Sequence, residues 1–191
     1  MKNLANFFFE VGMLKRTPRT GFQFLGSGAE SVAEHSFRTA VIGYTLAKLD
    51  GKVDVGRVLQ LCLFHDIPEA RTGDLNYVNK KYVAMNEPKA VADLARTLPF
   101  GEEYRETLEE FSGRQSREAL IANDADQLEM ILALKEHKDL GNRYADEWYP
   151  FAVQRLKTEA AQQLAETIWT TDSTRWWFDN DSEWWVKGGK E

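Results

Sequence analysis

The chain has 191 residues, 43% of them apolar and 28% charged, and carries a net charge of −6. That length suits one domain with a sizeable core, and the acidic balance excludes a general coat for DNA or RNA polymers, which needs a basic surface to displace phosphate counterions. No apolar run approaches the roughly 20 residues that cross a bilayer, so no membrane partner is expected, although a single nucleotide could still bind at a local basic cluster.

The opening apolar run is too short for a signal peptide and is interrupted by Glu10. Residues 3–14 read as an amphipathic helix, with Leu4, Phe7, Phe8, Val11 and Leu14 on one face. The segment from Lys15 to Gly28 is an irregular loop, marked by Pro18 and its glycines and basic at its start. Ser31-Val32-Ala33-Glu34 is a capping box, and the helix it opens runs to about Lys48. Val32, Phe37, Ala40, Val41, Tyr44, Thr45 and Leu46 are expected on its broad buried face. His35 falls in the first turn, where a lone histidine is more often a hydrogen-bonded core residue than a ligand.

Asp50-Gly51-Lys52 forms a turn and Asp54 caps the next helix, which runs from Val55 through Phe64 to His65 and Asp66. It is apolar on nearly all sides, so it is expected at the centre of the core. Its lone cysteine, Cys62 between Leu61 and Leu63, permits no internal disulfide and reads as a reduced core residue of a cytoplasmic protein. Burying His65 and Asp66 is unfavourable unless each finds a partner. A metal ion would serve both, and a simple His–Asp hydrogen bond is the plainer alternative.

Thr72-Gly73-Asp74 should break the helix and gather polar groups in one place. Short helices follow over residues 88–98 and 102–111, then a second core helix over 115–138. That helix carries Asp124 and Asp126 among alanines small enough to let helices approach. One of these carboxylates is expected to face His65 and Asp66; otherwise Asp124 faces solvent and Asp126 merely caps or pairs. His137, in the last turn, suits the helix dipole and reads as structural. One more helix is expected over 146–170, and nowhere does a sustained period of two or an internal repeat occur. The fold class is therefore all-α, with one domain over residues 1–170. An aromatic tail over 171–191 is expected to pack on it and to fray at Gly188–Glu191.

Two of the three histidines stand beside this chemistry. His35, His65, Asp66 and Asp126 together make a mixed nitrogen and oxygen ligand set that suits Mn²⁺, Co²⁺, Ni²⁺, Fe²⁺ or Zn²⁺ better than Ca²⁺. Such an ion lowers the pKa of a bound water and polarises a phosphoryl group. Glu69, one turn further on, is positioned to orient or deprotonate that water, or to protonate a leaving oxygen.

The order seen in Glu34-His35-Ser36, His65-Asp66-Ile67-Pro68-Glu69 and Ala125-Asp126-Gln127-Leu128 resembles the HD-domain superfamily of metal-dependent phosphohydrolases. Leu14-Lys15-Arg16, Arg19-Thr20-Gly21-Phe22, Glu30 to Ser36 and Thr72-Gly73-Asp74-Leu75 resemble its small 5′-deoxynucleotidase-like branch, over roughly residues 4–170. The resemblance implies a compact helical bundle of the HD type. It implies His35, His65, Asp66 and Asp126 as ligands of one divalent transition metal, with Mn or Co favoured for activity. Glu69 matches the catalytic glutamate, and Asp74 an acid beside the substrate. The Arg-Thr-Gly loop resembles the segment that contacts phosphate and sugar, so Arg19 is the first phosphate partner and Arg16 the second, with Thr20 and Phe22 alongside. Relatives often carry Trp where Phe22 stands, so the stacking surface is kept and the hydrogen-bond donor is lost.

The implied reaction is attack of a metal-bound water on a nucleoside 5′-monophosphate, in its deoxy form, by a homodimer. A dNTP triphosphohydrolase or a cyclic or alarmone nucleotide hydrolase is the second reading. Against it stand the thin basic lining and the lack of a second HD-type cluster. A non-catalytic metal- or nucleotide-binding module is the third, and Glu69 argues against it.

Overall fold

A computed structural model describes residues 1–178 and 184–188. Among them are twelve α-helices and no strand. α1 (Lys2–Val11) continues into a 3₁₀ turn (Gly12–Lys15), and a basic loop holding the one-turn α2 (Phe22–Leu25) leads to α3 (Val32–Asp50). α4 (Val55–Phe64), α5 (Glu69–Thr72), α6 (Asn79–Tyr82), α7 (Glu87–Ala95) and α8 (Gly101–Gly113) follow. α9 (Arg117–Asp139), α10 (Tyr144–Val153), α11 (Glu159–Thr170) and α12 (Trp184–Lys187) complete the order.

Side-chain caps set the helix starts that matter. Ser31 and Glu34 form the reciprocal capping box at α3, and Asp54, Ser116 and Thr158 each accept a backbone N–H at the starts of α4, α9 and α11. Such a cap contributes about 1 kcal/mol. α9 is the central helix, packed by α3, α4, α8, α10 and α11. Leu46, Val58, Leu61, Ile121, Leu128 and Ile131 form the main core between them. A smaller core joins Phe7, Leu14, Ile67, Leu94, Tyr104 and Leu108 beneath α1, α7 and α8. At Gly43 on α3 an added Cβ would lie 2.5 Å from the Cys62 sulfur, so glycine is what brings α3 and α4 together.

Two expectations and one alternative reading need correcting. Phe37, Val41, Tyr44 and Thr45 are exposed; Val32, Ala40 and Leu46 face inward as expected, joined by His35, Ser36, Thr39, Gly43 and Ala47. Small residues let α3 lie close to its neighbours, and the aromatic side chains are left outside. The single helix expected over 146–170 is two, α10 and α11, because Asp124 draws the backbone N–H groups of Lys157 and Thr158 away from helical pairing, at 2.8 and 2.7 Å. Asp124 is thus buried rather than solvent-facing.

In the tail, Trp176, Trp177, Phe178, Trp184 and Trp185 remain 37–85% exposed. Trp177, Phe178 and Trp185 make ring contacts with one another. Asp179–Glu183 of the tail, and the expected fraying over Gly189–Glu191, lie outside the described residues.

Candidate metal centre

The capping box fixes the first turn of α3 and with it His35: Ser31 N–H donates to Glu34 Oε2 at 2.7 Å, and Glu34 N–H to Ser31 Oγ at 3.2 Å. His65 is the residue just after α4, and Asp66 opens a run of tight turns. Ile67 N–H bonds Phe64 O at 3.1 Å and Glu69 N–H bonds Asp66 O at 3.0 Å. Pro68, with no N–H to satisfy, stands at the entry to α5. Asp126 projects from the middle of α9.

These side chains meet. His35 Nε2 lies 3.2 Å from Asp126 Oδ1 and 3.4 Å from Asp66 Oδ2. His65 Nε2 lies 3.2 Å from Asp66 Oδ2 and 4.0 Å from Asp126 Oδ1. Donor atoms of His35, His65 and Asp126 all fall within 4.8 Å of one another. Each imidazole has already used its other nitrogen. His35 Nδ1 donates to Glu129 Oε2 at 2.6 Å, and His65 Nδ1 to the carbonyl of Cys62 at 2.8 Å.

Both Nε2 atoms therefore face the cluster, and His35 Nε2, His65 Nε2 and Asp66 Oδ2 are buried with no hydrogen-bond partner. A group of this kind is unfavourable unless something binds it. Ligands about 2.0–2.2 Å from a common ion sit about 3.0–3.5 Å apart, which matches most of these separations. The residues fit a divalent transition metal.

Burial alone would raise the carboxyls of Asp66 and Asp126, yet positive charge on the His65 and His35 rings and on Arg19 holds both below the usual carboxylate range. A bound cation would supply that positive charge in place of the ring protons. Burial, reinforced by Asp66 and Asp74, pushes the Glu69 carboxyl up to about 9, and its Oε2 is buried without a partner.

The centre forms one wall of a cavity of about 250 Å³. Arg19, Phe22, Glu69 and Asp74 line that cavity as well. The base of the basic loop is pinned by Arg19 N–H to Glu30 O at 2.8 Å and Val32 N–H to Thr17 O at 2.9 Å. That brings Arg19 Nη1 within 3.6 Å of Asp66 Oδ2. Thr20 turns instead to Asp74, donating its N–H to Oδ2 at 2.7 Å and its hydroxyl to the carbonyl at 3.1 Å. Arg16 is exposed and lies away from the cavity lining. His137 packs on Phe22, with Nδ1 3.2 Å from Ser27 Oγ.

Sequence reading passed over Glu129, Gln127 and Arg155. Glu129 is 1% exposed, and Arg38 grips its other oxygen, Oε1, from Nε at 2.9 Å and Nη2 at 2.6 Å. Glu30, His35 and Glu129 also stand close enough to share an ion, but the imidazole and guanidinium already occupy both oxygens of Glu129. Gln127 Nε2 donates to Asp126 Oδ2 at 2.8 Å, and its Oε1 accepts from Arg155 at 3.3 Å. A carboxylate within the apolar run Leu128–Ile131, one turn from Asp126 and opposite a histidine–arginine pair spaced by three, was the available signal for Glu129.

The chain matches the family model described as HD domain over residues 11–169. It is 35% identical over 148 residues to 5′-deoxynucleotidase HDDC2 of Bos taurus, covering 74% of this chain and 71% of that protein. The PH0347 protein of Pyrococcus horikoshii aligns with a TM-score of 0.73 at 30% identity, over 86% of this chain and 98% of that one. A predicted metal-dependent phosphohydrolase of Magnetospirillum magnetotacticum aligns with a TM-score of 0.71 at 26% identity, over 87% and 89%.

Proposed function

Because this chain belongs to the HD-domain family, we propose that it is a metal-dependent phosphohydrolase that converts deoxynucleoside 5′-monophosphates to nucleoside and phosphate. The observation that carries the reading is the group of orphaned donors: His65 Nε2 and Asp66 Oδ2 belong to residues that line a cavity with Arg19 and Glu69, and His35 Nε2 lies buried against Asp66 and Asp126 of the same wall. The similarity to the 5′-deoxynucleotidase of Bos taurus supports the substrate class.

His35, His65, Asp66 and Asp126 would hold the ion, with Mn²⁺ or Co²⁺ favoured. A bound divalent ion supplies Lewis-acid polarisation of the phosphoryl group and a lowered pKa for water. Arg19, whose guanidinium offers a planar fork of donors, takes the phosphate oxygens. Asp74, held by Thr20, faces the substrate from the same cavity, and Phe22 gives the sugar or base an apolar surface. A bound cation would offset the burial and the neighbouring carboxylates that raise Glu69, leaving it ionised to accept a proton. Water attacks phosphorus, Glu69 takes the water proton, the bond from phosphorus to O5′ breaks, and the proton returns to O5′ from Glu69.

Charge argues for a monophosphate. The cavity's cations Arg19, Lys80 and Arg155 face six carboxylates, those of Glu30, Asp66, Glu69, Asp74, Asp126 and Glu129. A triphosphate would add more negative charge than they can balance.

The test is phosphate release from a panel of deoxynucleoside monophosphates with added Mn²⁺ or Co²⁺. Glu69→Gln is expected to bind the ion and lose about 10²–10⁴ in kcat, the usual worth of general acid–base catalysis. No turnover of any nucleotide by the metal-loaded wild type would sink the reading.

A homodimer and a cytoplasmic location complete the proposal. Phe37, Val41 and Tyr44, spaced i, i+4, i+7 on α3, are 72%, 52% and 44% exposed, a stripe suited to a second copy. A single-chain mass by sedimentation equilibrium would remove the dimer. Lone, buried Cys62 supports a reducing compartment; localisation of the tagged chain outside the cytoplasm would remove that part.

A further inference from the structure

Glu129 is a buried carboxylate inside an apolar stretch of α9, one turn beyond Asp126. A buried ion pair is a weak source of stability, since desolvating its charges offsets most of their attraction. Its geometry suggests another role. Oε2 accepts a hydrogen bond from His35 Nδ1–H at 2.6 Å. Oε1 is gripped at two points by Arg38, which also donates from Nη1 to Glu136 Oε1 at 2.7 Å, near the surface. The carboxylate cannot rotate without breaking the grip. The imidazole it holds must then carry its proton on Nδ1 and aim Nε2 at Asp126 and Asp66.

His65 is held differently. Its Nδ1 donates to a backbone carbonyl, that of Cys62, at 2.8 Å. A carbonyl fixes the tautomer but carries no net charge. An anion behind an imidazole makes it more basic and a stronger donor to a cation. The two histidines are therefore unequal.

We propose that Glu129, clamped by Arg38, is a positioning residue that fixes the tautomer of His35 and makes it the stronger of the two imidazole donors to the metal. The proposal rests on His35 being a metal ligand and is independent of which nucleotide is hydrolysed.

The experiment titrates Co²⁺ into the metal-free full chain. It follows the visible Co²⁺ bands and competition with a chelator, beside urea unfolding of the same samples. Glu129→Gln is expected to weaken Co²⁺ binding about 10–100-fold, the usual effect of losing such a partner, and to alter the band pattern. Asp124→Asn removes an equally buried carboxylate from the same helix and is expected to lower stability while leaving Co²⁺ affinity within about twofold. Arg38→Lys keeps the charge but loses the two-point grip, and is expected to weaken Co²⁺ binding in the same direction; it decides the matter if Glu129→Gln does not fold. A folded Glu129→Gln, or failing that Arg38→Lys, with unchanged Co²⁺ affinity would overturn the proposal and leave a purely structural ion pair. Wild-type protein that binds no Co²⁺ would overturn it together with the metal reading, whereas tight Co²⁺ binding without nucleotide turnover would remove only the substrate class.

Discussion

Asp124 and Asp126 stand two positions apart on α9, about 200° around the helix, and that angle separates their roles. Asp126 turns toward the imidazoles. Asp124 turns the other way and accepts the backbone N–H groups of Lys157 and Thr158. Asp124→Asn should lower stability by about 1–3 kcal/mol, the range for a charged hydrogen-bonding group left short of a partner in the interior. Asp126→Asn should fold cooperatively but lose tight metal binding and turnover. Urea unfolding and Co²⁺ titration read the two effects, and the opposite pattern would move the site to Asp124. His35, His65 and Asp66 stood out in the sequence because such residues rarely occupy apolar helical faces. Glu129 sits inside an apolar run in the same way, but nothing local names the histidine 94 positions away that it serves.

At the scale of elements, the chain announced its helices through caps and periodicity but hid where one ends because of a distant side chain. The break between α10 and α11 is held by Asp124 together with the Thr158 cap, so a window over residues 146–170 contains only part of its cause. The misplaced face of α3 has a similar origin: Gly43, Thr39 and Ala47 face inward because α4 and α9 come close, a fact of packing rather than of hydrophobicity.

Asp50 shows how charge joins these elements. At the end of α3 it accepts from Arg117, at the start of α9, with Nε at 2.8 Å and Nη2 at 2.5 Å. The hydrogen bond from Arg117 holds the Asp50 carboxyl below its usual 3.8. A folded-state pKa below the unfolded one means that the unfolded chain binds the proton first. The contribution is then complete above pH 3.8 and lost as pH falls through the lower folded value. Asp50→Asn should narrow the stability difference between pH 6 and pH 3, measured as urea midpoints. An unchanged difference would show that this pair adds nothing to acid sensitivity.

At the scale of the whole molecule, the centre draws on three separate parts of the bundle: α3, the turns after α4, and α9. None of them holds the donors alone, so the unfolded chain has no comparable site. An ion that binds only the folded state stabilises it by about 2.7 kcal/mol at a hundred times its dissociation constant. For a domain of this size that raises Tm by about 5–10 °C. Chelator treatment of metal-loaded protein should therefore lower Tm by that amount, and readdition of Mn²⁺ or Co²⁺ should restore it. Glu69→Gln should keep the full shift, because Glu69 is assigned to the proton and not to the ion. Asp126→Asn should lose it. A shift that survived in Asp126→Asn would mean that the ion binds elsewhere. A shift lost in Glu69→Gln would make that residue a ligand, and the separation between holding the metal and moving the proton would fail with it.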